Sequence, residues 1–110
     1  MDKKIYEMHA EVCKIMANPK RLEIINCLRD GEKNVSQLVN LMKIPKSNLS
    51  QHLKIMKNMG ILSQRRDGVN VYYKISNQKV IKACDLMREV LLEQMEEKEK
   101  IAESLRRLTK

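Results

Sequence analysis

The 110 residues carry 22 Lys and Arg against 14 Asp and Glu, a net charge of +8, with 43% apolar and 33% charged residues. That balance suits one folded, soluble domain rather than a disordered chain, small enough that a second copy would help to cover its core. Three Tyr are the only aromatics, which argues against single-stranded nucleic acid held by base stacking; Cys13, Cys27 and Cys84, with no C-x-x-C spacing, argue against a disulfide scaffold or a zinc finger.

Residues Asp2 to Ala17 have a helical pattern, with Ile5, Met8, Val12, Ile15 and Met16 at i, i+3 and i+4 spacings. Asn18-Pro19 ends that helix, and Pro19 suits the first position of the next. The second helix, Lys20 to Asp30, should turn Leu22, Ile25 and Leu28 inward and stop at Gly31. Asn34 or Ser36 then caps a short helix carrying Val35, Leu38, Val39, Leu41 and Met42. Lys43-Ile44-Pro45-Lys46 is too short for a domain linker and leads into a fourth helix.

In that helix Ser47 is the expected N-cap, and Gly60 supplies the left-handed residue that ends it. At about 100° per residue, Leu49, Leu53, Met56 and Met59 share one arc, while Ser50, Gln51, Lys54, Lys57 and Asn58 occupy the opposite one. The period then switches. Residues 61–66 and 71–76 are strand-like, and Asp67-Gly68-Val69-Asn70 is turn-forming, so the pair predicts a β-hairpin. Asn77 is a good N-cap for a long last helix with Val80, Cys84, Met87, Leu91, Met95, Ala102, Leu105 and Leu108 on one stripe. The charged stretch from Glu93 to Lys100 either continues this helix or breaks it.

Charge is concentrated where the polar face lies. Between Lys43 and Lys74 seven basic residues stand against one acid, whereas Asn77 to Lys110 holds eight basic and seven acidic residues. A basic zone on an amphipathic helix is the footprint of a polyanion, and its best physical match is the major groove of duplex DNA. The expected fold is mainly α with a β-hairpin wing: a winged helix-turn-helix in one domain over residues 1–110. Residues 20–76 would bind DNA, and the long apolar stripe of 77–110 is most simply covered by the same helix of a second copy. No Ser-His-acid, paired-carboxylate or phosphate-cradling Gly-rich arrangement is present, so no enzyme is expected. A signal-peptide run and an apolar stretch of about 18 residues are also lacking, so a cytoplasmic protein with no membrane partner is expected.

The runs Ala17-Asn18-Pro19-Lys20-Arg21-Leu22-Glu23-Ile24-Ile25, Ser47-Asn48-Leu49-Ser50-Gln51-His52-Leu53-Lys54, Gly60-Ile61-Leu62, Arg65-Arg66-Asp67-Gly68 and Val71-Tyr72-Tyr73 resemble, in this order, the ArsR/SmtB family of bacterial and archaeal repressors. The resemblance covers about residues 10 to 92. It implies a homodimer, paired through the first and last helices (1–17 and 77–110), that binds a palindromic operator and is released by an inducer. The residues themselves divide the work. Ser47, Ser50 and Gln51 are placed to read base edges, with Asn48 beside them, while Lys46, Lys54, Lys57, Arg65 and Arg66 hold phosphates and Asn70 sits at the wing tip. His52 lies at the edge of the apolar arc, where DNA contact and half-buried packing are both open.

By the same resemblance, the family's paired Cys on the third helix correspond here to Asn34 and Ser36. The metal set on the last helix corresponds to Asn77, Lys79, Val90 and Glu93, so the paired-Cys site is absent and the last-helix site lacks three of its four ligands. Cys27 stands one position from the thiol of persulfide-sensing relatives, whose second thiol corresponds to Leu92. What remains is His9 and Cys13, one helical turn apart, with Cys84 on the last helix. This set suits a thiophilic metal or metalloid ion, a thiol redox pair, or plain apolar packing of small side chains. A regulator without any small-molecule site, or a winged helix used for protein–protein contact, are the alternatives.

Overall fold

The computed structural model describes residues 2–109, and Met1 and Lys110, the outermost residues of the expected pairing segments, lie outside them. Among the described residues, five helices and three strands follow one another: α1 (Lys3–Met16), α2 (Pro19–Cys27), β1 (Lys33–Asn34), α3 (Val35–Met42), α4 (Lys46–Asn58), β2 (Leu62–Asp67), β3 (Asn70–Ile75) and α5 (Lys79–Leu108).

Local chemistry sets the helix starts. The Asp2 side chain accepts from Lys4 N, and Asn18 accepts from the backbone of Lys20 and Arg21 ahead of a Pro at the first helical position. Asn34, rather than Ser36, caps α3 in a capping box: its side chain takes the Gln37 N–H at 2.8 Å, while Gln37 Oε1 takes the Asn34 N–H at 2.8 Å. Asn77 Oδ1 accepts from Lys79 N at the start of α5.

Two expected caps are displaced: at α5 the N-cap position is Gln78, one residue past Asn77, and it makes no side-chain cap bond. The N-cap of α4 is Pro45, which has no capping side chain, and Ser47 is the second helical residue. The ring of Pro45 holds φ at −58°, already close to helical, so the helix starts earlier than the Ser signal suggested. The C-terminus follows expectation. Gly60 is left-handed at φ +77°, Gly60 N–H donates to Lys57 O and Ile61 N–H to Met56 O, the paired bonds of a Schellman ending. Ile61 is buried behind it. The turn between α3 and α4 is tight because Lys43 adopts the left-handed conformation, φ +54°, and sends its N–H back to Val39 O.

The core is formed by Ile24, Ile25 and Leu28 of α2 and its end, Leu38 and Met42 of α3, Leu49, Leu53 and Met56 of α4, Ile61 just before β2, Leu62 and Ile75 of the sheet, and Ile81 of α5. Two expectations about this core change. On α2 it is Ile24 that is buried with Ile25 and Leu28, while Leu22 is half-buried. Met59 and Leu41, both placed on apolar stripes, are exposed, since Met59 lies past the last helical residue.

The hairpin pairs Leu62 with Ile75 through Asp67 with Asn70, closing on Gly68-Val69. Gly68 has φ +62° at the first loop position, where a side chain would be strained. A third strand was not expected: the short β1 adds to the far side of β3, giving the order β1-β3-β2 with Lys33 opposite Tyr73 and Asn34 opposite Tyr72.

The last helix does not break. It runs 30 residues, about 45 Å at 1.5 Å per residue, and makes the molecule elongated, 65 × 44 × 23 Å. Arg29 at the end of α2 pins its first turns through both oxygens of Asp85, at 2.6 and 3.2 Å. Beyond that anchor every residue from Leu86 to Leu108 except Ala102 is exposed. Helix α1 has no buried residue. No helix among the described residues is long and apolar enough to cross a membrane.

Truncating the fully buried Leu53 to Ala should lower unfolding free energy by about 2–5 kcal/mol in urea denaturation, and Met59→Ala should stay within about 0.5 kcal/mol.

Candidate nucleic-acid interface

Helix α4 carries its polar face because its apolar one is used up. Leu49, Leu53 and Met56 are completely buried, which turns Lys46, Ser47, Ser50, Gln51, Lys54 and Lys57 to solvent. Ser47, relieved of capping, keeps its hydroxyl for another partner. The face therefore offers hydroxyl and amide groups flanked by ammonium groups on one rigid element, as base-edge and phosphate contacts require.

Asn48 and His52 are half-buried, and both are held by α2. Lys20 Nζ donates to Asn48 Oδ1 at 3.2 Å. Arg21 Nε donates to His52 Nδ1 at 3.2 Å, while Arg21 Nη1 donates to the carbonyl of Ile15 in α1, also at 3.2 Å. One guanidinium thus joins three helices. Because Nδ1 accepts a hydrogen bond, a neutral His52 carries its proton on Nε2. Burial, reinforced by the charges of Arg21 and Lys20, holds this imidazole below the usual His range. No local pattern gives Lys20 and Arg21 a role; only their contacts across 28 and 31 residues reveal it.

The wing is uneven. Arg65 is paired with Glu32 and lies over the Tyr72 ring, 4.5 Å from its centroid, with Asp67 at 3.9 Å. Arg66 and Asn70 are exposed, and among the described residues Arg66 forms no ion pair. Of the two adjacent arginines, only Arg66 is unpaired.

The third set of expected residues also comes together, away from α4. His9 and Cys13 of α1 and Cys84 of α5 line one open groove of about 610 Å³, otherwise walled mostly by apolar side chains such as Val12, Met16, Leu22, Met87 and Leu91. All three cysteines are free thiols. Burial pushes the Cys84 and Cys27 thiols up, which disfavours the thiolate. Cys27 does not line the groove. Among the described residues no three His, Cys, Asp or Glu side chains are close enough to hold a metal ion.

Residues 18–64, from the cap of α2 into β2, match the model of the bacterial regulatory protein, arsR family. The chain is 43% identical over 75 residues to the transcriptional repressor PagR of Bacillus anthracis, covering 67% of this chain and 75% of that one. It belongs to the arsR family. Among solved structures, this arsR-family chain is similar to Rv0081 of Mycobacterium tuberculosis, with a TM-score of 0.78 and 28% identity over 86% of this chain and 95% of that one. It is also similar to the homodimeric winged helix-turn-helix DNA-binding domain Mb0332 of Mycobacterium bovis, with a TM-score of 0.74 and 28% identity over 83% and 84% of the two chains. The helix-turn-helix of the family is α3–turn–α4, the wing is β2–β3, and the chain is a winged helix-turn-helix regulator of transcription that binds DNA.

The Arg21–His52 contact gives a pH signature. A His held low is disfavoured in the folded state once its unfolded counterpart takes up a proton, so stability is intact above about pH 6.5 and falls as pH drops through the folded value. Imidazole NMR titration should place His52 below that reference, and Arg21→Gln should move it upward by removing a nearby positive charge.

Proposed function

We propose that this chain is a cytoplasmic homodimeric repressor that binds a palindromic duplex operator with one α4 in each half-site. The observation that carries this is the fully buried Leu49–Leu53–Met56 row set directly behind the exposed Ser47, Ser50, Gln51, Lys54 and Lys57. In this proposal Ser47, Ser50 and Gln51 read base edges, Gln51 being suited to bidentate pairing with adenine. Lys46, Lys54, Lys57 and Arg66 hold phosphates, Asn70 contacts the backbone at the wing tip, and Asn48 and His52 contribute from positions fixed by Lys20 and Arg21. Repression and dimer formation draw support from the repressor PagR and the homodimeric Mb0332 domain. Residues 20–76 are the DNA-binding core and 1–17 with 77–110 the pairing segments; exposed Ile5, Met8, Met87, Leu91 and Met95 are the surfaces that a second copy would cover.

The switch in this proposal lies in the α1–α5 groove. Cys13 and Cys84 share it with His9, which favours an effector that reacts with or bridges thiols. Because no three-ligand cluster is present among the described residues, a thiol-reactive sulfur species fits one copy better than a soft metal or metalloid ion. An ion would draw on ligands from both copies.

Operator binding across a salt series tests the first part. With a selected duplex, the Lys54→Glu/Arg66→Glu variant should bind at least tenfold more weakly and with a shallower slope of log K against log salt. Equal, weak, salt-insensitive binding by parent and variant defeats the repressor proposal in favour of a protein-contact module. Cys13→Ser and Cys84→Ser should each abolish DNA release by polysulfide, cadmium or arsenite. A response unchanged in both removes the thiol site and leaves a regulator without it.

A further inference from the structure

Arg65 has an anion in place before any DNA arrives. Glu32 precedes β1, and the pairing of Lys33 with Tyr73 and Asn34 with Tyr72 puts it beside the outer face of the wing. Arg65 lies opposite Tyr72 on that same face, since the strand partners Leu62 and Ile75 turn the other face to the core. Glu32 presents both carboxylate oxygens to the guanidinium, Oε1 to Nη2 and Oε2 to Nε at 3.3 Å, with the ring of Tyr72 beneath. This two-point fork is the geometry by which a guanidinium also grips a phosphate.

We propose that Glu32 is a built-in phosphate surrogate, and that the wing engages DNA by exchanging the Glu32 carboxylate for a backbone phosphate on Arg65. The exchange is sterically open. The Arg65 and Glu32 side chains are 52% and 36% exposed, so a phosphate reaches the fork without the wing unfolding. An ion pair this exposed is weak and salt-screened, so a polyanion can displace it. Tyr72 keeps the guanidinium flat and aimed through the exchange, because its ring contact does not involve the N–H groups. The Glu32 carboxyl is held below the usual carboxylate range by its bond to Arg65 and by the charges of Arg65 and Lys74, so the competitor is ionised at neutral pH. Lys74, exposed on β3 near Glu32, takes over as the partner of the released carboxylate. Arg66, having no such competitor, anchors the wing first.

This inference rests on the DNA-binding reading above, and the experiment separates the two. Duplex binding is measured for the parent, Glu32→Gln, Arg65→Gln and the double variant across a salt series, with thermal unfolding to confirm that each folds. Glu32→Gln should bind about three- to tenfold more tightly at low salt with nearly the parent's slope, because Arg65 makes the same phosphate contact in both, whereas the Arg65→Gln slope should be shallower by about 0.9. In the Arg65→Gln background the Glu32→Gln change should have no effect. Equal tightening in both backgrounds makes Glu32 a general repulsive charge and overturns the exchange, as does unchanged or weaker binding by Glu32→Gln, which makes it a strut for the wing. If the parent itself does not bind duplex DNA, the DNA-binding reading fails first and this inference with it.

Discussion

Leu49, Leu53 and Met56 leave no surface exposed, and the orientation of α4 follows from that burial. A helix with one apolar arc packed against α2 and α3 cannot roll about its axis without exposing it, and a roll of one residue would be about 100°. The polar arc is therefore aimed by what is hidden behind it. Two polar ties refine the aim from the side: Lys20 on Asn48 and Arg21 on His52. Arg21 also holds the last turn of α1 through the Ile15 carbonyl. Helices α1, α2 and α4 thus meet at one side chain, and a shift of α1 has a direct mechanical route to α4.

The wing shows the opposite design. Its base is anchored in the core by Leu62 and Ile75, but its outer half is exposed, and its charges are arranged against one another rather than left free. Arg65 is matched by Glu32 and Asp67, whereas Arg66 is not. A count of basic residues over Lys43 to Lys74 treats the two arginines alike. Geometry separates them, so the effective field of the wing is smaller than its formal charge and grows when Glu32 lets go.

Much of this was legible in the chain itself, for identifiable reasons. The helices and the hairpin announce themselves by period, and Asn18-Pro19, Asn34, Gly60 and Gly68 mark their ends with residues whose backbone chemistry is specific. The helix-turn-helix order and the exposed face of α4 follow from those signals. Other features had no local signal. Ser47 is a better capping residue than Pro45 in isolation, yet the fixed φ of the proline starts the helix first. The strand β1 is too short to carry a period and exists only because β3 offers an open edge. The pairs Arg21–His52, Arg29–Asp85 and Glu32–Arg65 join residues 31 to 56 positions apart, where neither spacing nor propensity speaks. Of the candidate effector residues, the sequence placed His9 and Cys13 on one helical face; that Cys84 borders the same groove is a tertiary fact.

Helix α5 combines two environments in one continuous hydrogen-bonded rod. Its first turns carry Ile81 in the core and Asp85 clasped by Arg29, while the turns from Leu86 to Leu108 hold no buried residue, Met87 and Leu91 only bordering the groove beside α1. Amide protons in those two parts answer to different opening events: global unfolding for the anchored turns, local fraying for the rest. Any second chain laid along Met87, Leu91 and Met95 would slow exchange in the distal turns and leave the proximal ones nearly unchanged. The ratio of protection along this one helix is thus an internal gauge of association, readable without DNA, effector or label.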